Sequence, residues 1–191
     1  MTRQEYFDSI EKRITWLAMR AKTRGKQNLL ELNIYLEHFF EELLNIVYGY
    51  KLKNLNKEDS NSKGVDLIDR ANKLAVQVTS TATAAKINSS IDKLKEDYQG
   101  YTLKFMIIGI NVQSSLAKKK YNDNKYINFS PVQDILDIDI LLKEIFYSDT
   151  ENLEKIYVFC KNEVKLEETR QTSSSHEVGF RNQMLSKVQW N

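Results

Sequence analysis

GVDLIDRANKLAVQVTSTATAAK, residues 64–86, is the stretch that decides the fold. It reads as two short β-prone runs, 65–68 and 74–79, joined by Asp69, Arg70, Ala71 and Asn72 and followed by the start of a helix. Turn-forming residues between two such runs predict an antiparallel hairpin. Each run carries one polar residue in an apolar setting, Asp66 inside VDLI and Gln77 inside LAVQV. Burying a carboxylate or an amide costs several kcal/mol unless it is paired or liganded, so both residues need a chemical reason to be there. Strand parity puts Asp66 on the face of Ile68, against Val65 and Leu67, and puts Gln77 and Thr79 on the face of Ala75. Asp69 falls on the other face beside the turn, where aspartate commonly bonds its own backbone.

Working outward, Ala84, Ile87, Ile91, Leu94 and Tyr98 recur at three- and four-residue steps and predict a helix over 83–98, closed by Gly100. The run LKFMIIGI, 103–110, predicts a strand buried on both faces. A right-handed helical crossover would make it parallel to the second hairpin strand. Upstream, Tyr6, Ile10, Ile14, Leu17 and Ala21 predict a helix over 2–23. A second, over 27–48, carries a broad apolar arc from Leu29 to Val47 and ends at Gly49. Residues 50–64 are polar and aperiodic and read as a loop. Residues 111–130 read as an excursion with little regular structure, and Pro131 begins a return. Residues 135–140 read either as an edge strand or as the cap of a helix running on through Leu141, Leu142, Ile145 and Phe146. Helix resumes over 152–167. The layout indicates an α/β (α+β) domain at 1–167 with a central mixed sheet flanked by helices and two helices N-terminal to it. Residues 168–191, with Ser173, Ser174 and Ser175, read as a polar linker or C-terminal tail.

A chain of 191 residues suits one domain with a real core and is short for two. The 28 Lys and Arg against 26 Asp and Glu give a net charge of +2, so no overall basic signature announces nucleic acid. A local patch remains: Lys118, Lys119 and Lys120 beside Tyr121, with Lys125 and Tyr126 following, read as a solvated loop or as a contact to a nucleic-acid backbone with aromatic stacking. Charged residues at 28% and apolar ones at 41% are ordinary globular values and argue against a disordered or membrane class. With no leader-like segment at Met1 and no apolar run long enough to span a bilayer, a cytoplasmic location is expected. Cys160 is alone in an apolar helical setting and reads as a packed thiol. His38 and His176 are too few and too far apart to build a zinc site with it. No GxxxxGK[ST] or GxGxxG stretch occurs, which removes the usual nucleotide-binding readings.

On a helical wheel of the second helix, Glu37 lies at the edge of the apolar arc and Glu41 further toward solvent. An acid on one strand, a polar residue eleven positions on at Gln77 and another two further at Thr79 together form the layout of a metal-dependent nuclease site. In such a site oxygen ligands hold Mg²⁺, which polarises the scissile phosphate and activates a bound water. A lysine normally orients that water. Thr79 cannot supply the charge, but Lys86, in the first turn of the next helix, has a stem long enough to return an ammonium to the same place. The alternative for Lys86 is an ordinary surface lysine.

The stretches LNIYLEHFFEELLNIVYGYKLKNLN (32–56), GVDLID (64–69) and LAVQVTSTATAAKI (74–87) together resemble the SMEK domain of prokaryotes, which is unrelated to the eukaryotic phosphatase regulator sharing that label. The resemblance runs from Tyr6 to about Leu166. It implies a domain at the N-terminus of a longer bacterial protein, in some cases one associated with antiviral defence. It also implies a core similar to restriction-endonuclease-like PD-(D/E)xK nucleases. Asp66 would match the first acid of that motif, Gln77 the second acidic position, Thr79 the lysine and Glu37 an added helical glutamate. The expected site is therefore Asp66, Gln77, Lys86 and Thr79 as catalytic residues, with Asp66 and Glu37 as Mg²⁺ ligands and nucleic acid as the partner. Gln77 and Thr79 depart from the motif, which leaves a second expectation: a catalytically silent module that recognises nucleic acid or a partner protein and signals to a downstream effector domain. A third is an oligomerisation domain built on the first helix.

Overall fold

The computed structural model describes residues 1–24, 30–55 and 64–166. The first helix, α1 (Arg3–Arg24), opens with a capping box in which Thr2 Oγ1 accepts from Glu5 N and Glu5 Oε2 accepts from Thr2 N. One stripe of α1, Ile10, Ile14, Leu17, Ala18 and Ala21, is buried. The second helix, α2 (Leu30–Tyr48), buries Leu36, Phe39, Phe40, Leu43 and Leu44. It ends where Gly49 takes a positive φ of 68° and its N–H reaches the Asn45 carbonyl, a conformation that a side chain would oppose.

A mixed sheet follows, with six strands among the described residues. β1 (Lys53–Asn54) pairs antiparallel with β2 (Leu67–Asp69), which pairs antiparallel with β3 (Leu74–Thr79). β3 runs parallel to β4 (Tyr101–Ile107), and the two are joined through α3 (Ala84–Ile91). The next edge is shared: β5 (Ile127–Asn128) pairs with the start of β4 and β6 (Ile135–Leu136) with its end. Between them α5 (Pro131–Asp134) interrupts the ladder, and Lys104 of β4 reaches it, donating to Asp134 Oδ1 at 2.6 Å.

The sheet alternates between two cores. Leu67, Leu74, Val76, Val78, Met106 and Leu136 face a layer of α1, α2, α6 (Ile138–Tyr147) and α7 (Thr150–Glu163). Ile68, Ala75, Leu103, Phe105, Ile107 and Ile135 face α3 and the excursion around Leu116 and Phe129. The expected hairpin, parallel third strand and flanking helices are all present. α1 is part of the first core, packed on α7 and α6.

Several boundaries differ from the sequence reading, each for a local reason. Strand β2 begins at Leu67, because the chain bends at Asp66; Val65 and Ile68 consequently enter the same core although strict alternation would separate them. The loop before the hairpin contains β1, which the polar sequence concealed. Helix α3 stops at Ile91, where tighter turns at Lys93 and Leu94 carry Leu94 into the core and Asn124 Nδ2 binds the Ile91 and Leu94 carbonyls. A separate 3-10 turn, Glu96–Tyr98, replaces the end of the expected helix. The excursion holds a short helix, α4 (Gln113–Leu116), besides β5. Both readings of 135–140 apply in succession, since β6 ends at Leu136 and Asp137 then caps α6 by accepting from Ile140 N. Helix α7 starts earlier and ends earlier than expected, capped by Asp149. Residues 167–191, including the expected linker or tail, lie outside the described residues.

Candidate functional site

A cleft of about 340 Å³ opens where β3 and β4 end, between α2 and the first turn of α3. Crevices at the carboxyl ends of parallel strands are common ligand sites in α/β sheets. Its walls include Glu37 of α2, Asp66 before β2, Gln77 and Thr79 of β3, and Lys86 of α3. The five side chains expected from sequence thus converge on one cleft. Asn33, Ser80 and Thr81 also line it, and the sequence reading had given them no role.

Asp66 is placed by its backbone before its side chain matters. Its N–H reaches the Val76 carbonyl at 3.0 Å and its carbonyl accepts from Leu55 N at 2.9 Å, so the ladder continues through the bend. The bend takes the carboxylate off both apolar faces and toward the C-terminal half of β3. There Oδ2 accepts from Val78 N at 2.8 Å and from Gln77 Nε2. Gln77 is 6% exposed and gives a second bond from Nε2, to the Val78 carbonyl at 3.2 Å. Among the described residues no hydrogen bond reaches Asp66 Oδ1 or Gln77 Oε1. The amide therefore spends its donor on the protein and keeps its oxygen available.

Burial pushes the Asp66 carboxyl up to about 7, and the neighbouring Glu37 carboxylate pushes the same way. The bonds from Val78 and Gln77 and the Lys86 ammonium oppose this without overcoming it. Glu37 is half-buried, and its Oε2 accepts from Asn54 Nδ2 at 3.2 Å. Lys86 follows the Thr83 N-cap of α3, whose Oγ1 accepts from Lys86 N at 3.2 Å. Thr79 Oγ1 accepts from Thr81 N at 3.1 Å, which shapes the loop between β3 and α3. Among the described residues lining the cleft, Glu37 and Asp66 carry carboxylates and Lys86 an ammonium.

That donor set is compatible with Mg²⁺, an oxygen-seeking ion usually held by one or two carboxylates with water and phosphate completing its shell. It is no closed cage: among the described residues no three His, Cys, Asp or Glu side chains gather around one point.

The SMEK domain model matches residues 9–146. The chain belongs to the SMEK domain family. No curated protein and no solved structure matches it. Every residue of the cleft lies inside the matched span of the SMEK domain, whereas α7, which packs against α1, lies beyond it.

Other sequence expectations fare unevenly in this SMEK domain. Glu41, read as facing solvent, is 4% exposed, with Oε2 at 3.5 Å from His38 Nδ1. The wheel misplaced it because the helix is covered on more than one side. Lys118, Lys119 and Lys120 are exposed, while Tyr121 is half-buried, donating to the Leu116 carbonyl and packing on Phe129. Cys160 is buried and its thiol is pushed up to about 12 by that burial, the state of an inert packed cysteine. No helix among the described residues is long and apolar enough to cross a membrane. Asn54 escaped notice altogether, although it sits in the NLN run that carries part of the family resemblance.

Proposed function

We propose that this SMEK domain is a divalent-cation-dependent nuclease module, with a restriction-endonuclease-like core, serving a bacterial defence protein in the cytoplasm. The observation that carries the reading is the facing pair of Asp66 and Glu37 with Lys86 in one cleft. A buried acid pushed up to about 7 by burial and a like charge gains most from a cation placed between the two carboxylates. Asp66 and Glu37 are the residues that would hold Mg²⁺, with Gln77 Oε1 as a neutral oxygen beside them. The ion would supply Lewis acidity at a scissile phosphate and a water of lowered pKa. The chain does the rest. Val78 N and Gln77 Nε2 keep Asp66 oriented, Lys86 offsets charge and can orient a water, and the Thr79–Thr81 loop lines the entrance for the anionic substrate.

Incubating the protein with single- and double-stranded DNA and RNA in Mg²⁺ or Mn²⁺ tests this. At least one substrate should be nicked, and Asp66→Ala should abolish nicking in a protein that still folds. A wild type that neither cleaves nor binds a divalent ion sinks the enzyme reading. The competing reading, a silent module that recognises nucleic acid or a partner and signals to a downstream effector, is favoured by one feature: Gln77 and Thr79 stand where a nuclease motif has an acid and a lysine.

A further inference from the structure

The Glu37–Asp66 pair poses a mechanical problem, because two carboxylates facing one another repel and Glu37 has three side-chain torsions through which to swing away. The solution lies in residues 51–55, on the edge of the sheet. Asn45 of α2 clamps Leu52 from both sides, its Oδ1 accepting from Leu52 N at 2.8 Å and its Nδ2 donating to the Leu52 carbonyl at 3.1 Å. Lys51 N donates to Asp69 Oδ2 at 2.8 Å, which ties the same segment to the far end of β2. With the backbone fixed, two consecutive residues reach the two acids. Asn54 Nδ2 donates to Glu37 Oε2, and Leu55 N donates to the Asp66 carbonyl. Asn54 is 3% exposed, so its amide has little freedom to follow Glu37 elsewhere.

We propose that Asn54 is a positioning residue for the site, holding Glu37 against Asp66, and that the pinned segment 51–55 is the strap through which it does so. This rests on the cation reading given above. Asn54 touches neither the ion nor the substrate; it acts through Glu37, as outer-shell partners of metal ligands generally do.

The test is Mn²⁺ binding to the full chain, followed by loss of the free-ion signal in electron paramagnetic resonance, with thermal melting of every variant alongside. Asn54→Ala should bind Mn²⁺ about tenfold more weakly than wild type, the lower end of the range for losing such a partner. Ile10→Val, a mild truncation in the first core on α1, which supplies no residue to the cleft or the strap, provides the structural control and should leave the affinity unchanged. If Asn54→Ala does not fold, Asn54→Ser, which keeps a polar group but falls short of Glu37, is judged by the same criterion. Equal affinity in wild type and the Asn54 variant overturns this inference and leaves the cation reading standing. Equal weakening by Ile10→Val overturns it as well, because the effect is then general loosening. A wild type that binds no Mn²⁺ removes the cation reading, and this inference goes with it.

Discussion

Asp66 sits at the bend just before β2 and Asp69 closes the same short strand, and the fold treats them in opposite ways. Asp69 is 1% exposed, yet its carboxylate accepts from Asn72 N, Asn72 Nδ2 and Lys51 N. Burial disfavours its charge, and these bonds outweigh burial, so its pKa is lowered. Asp66 has two donors on one oxygen, none among the described residues on the other, and a glutamate opposite; its pKa is raised to about 7. Burial works against the charge of both, and only at Asp69 do the bonds from donors outweigh it. The difference is whether the protein itself supplies enough positive partners, and where it falls short, something else has room to supply them.

The sharpest way to break the comparison is Asp66→Asn. The amide oxygen can still accept from Val78 N and Gln77 Nε2 while the repulsion with Glu37 disappears, so the variant should melt higher than the metal-free wild type at neutral pH. Cation-dependent cleavage should fall to background. A lower melting temperature would mean that Asp66 is a structural acid like Asp69.

The two acids also predict opposite limbs of a pH profile. Folded Asp66 holds its proton up to about 7, against 3.8 for an ordinary aspartate, so across that interval the folded state binds more protons than the unfolded one. Stability of the metal-free protein should therefore fall by a few kcal/mol as pH rises toward neutrality. Asp69 acts in reverse: its stabilisation is complete above the ordinary carboxylate value and is lost as pH falls through its lowered one. Urea unfolding from about pH 3 to about pH 8 should show a maximum near the ordinary aspartate value of 3.8 and a decline from there toward neutrality. Asp66→Asn should flatten the upper limb and leave the lower limb intact.

Asp69→Ala should give a smaller effect of a different kind. It strands the Lys51 and Asn72 donors and should cost about 2 kcal/mol of stability. Divalent-ion affinity per folded molecule should stay within experimental error, since the Asn45 clamp and Leu55 still hold the strap. A loss of ion affinity as large as the loss of stability would erase the distinction between the two acids.

The cleft was legible because its chemistry breaks local rules: an acid in VDLI and an amide in LAVQV are out of place in apolar strands, and periodicity located the helix bringing Glu37. The hairpin, the parallel strand and the long helices were legible from period and turn chemistry. The sequence was silent where structure rests on distant partners. β1 has two residues and exists because β2 pairs with it while Asn45 and Asp69 hold Leu52 and Lys51 just before it; no local pattern encodes that. The end of α3 depends on Asn124, some thirty residues away, and the burial of Glu41 depends on what covers α2 from outside its own wheel. Asn54 combines both problems, a polar residue in a polar stretch whose role appears only when Glu37 is beside it.

Lys86→Met carries the smallest expected effect and separates two quantities that the other variants move together. The Lys86 ammonium lowers the pKa of Asp66, which means that it already neutralises part of the charge a cation would neutralise. It and the ion compete for the same negative charge. Lys86 is half-exposed, so the competition is softened by water and its removal should tighten Mn²⁺ binding only about threefold. Cleavage should move the other way, because an ammonium that orients water and offsets charge on a phosphate has no substitute among the other described residues lining the cleft. Tighter ion binding with slower cleavage in one variant is a signature that a surface lysine would not produce. If both quantities stay at wild-type values, Lys86 is a surface lysine, and the acid pair works without it.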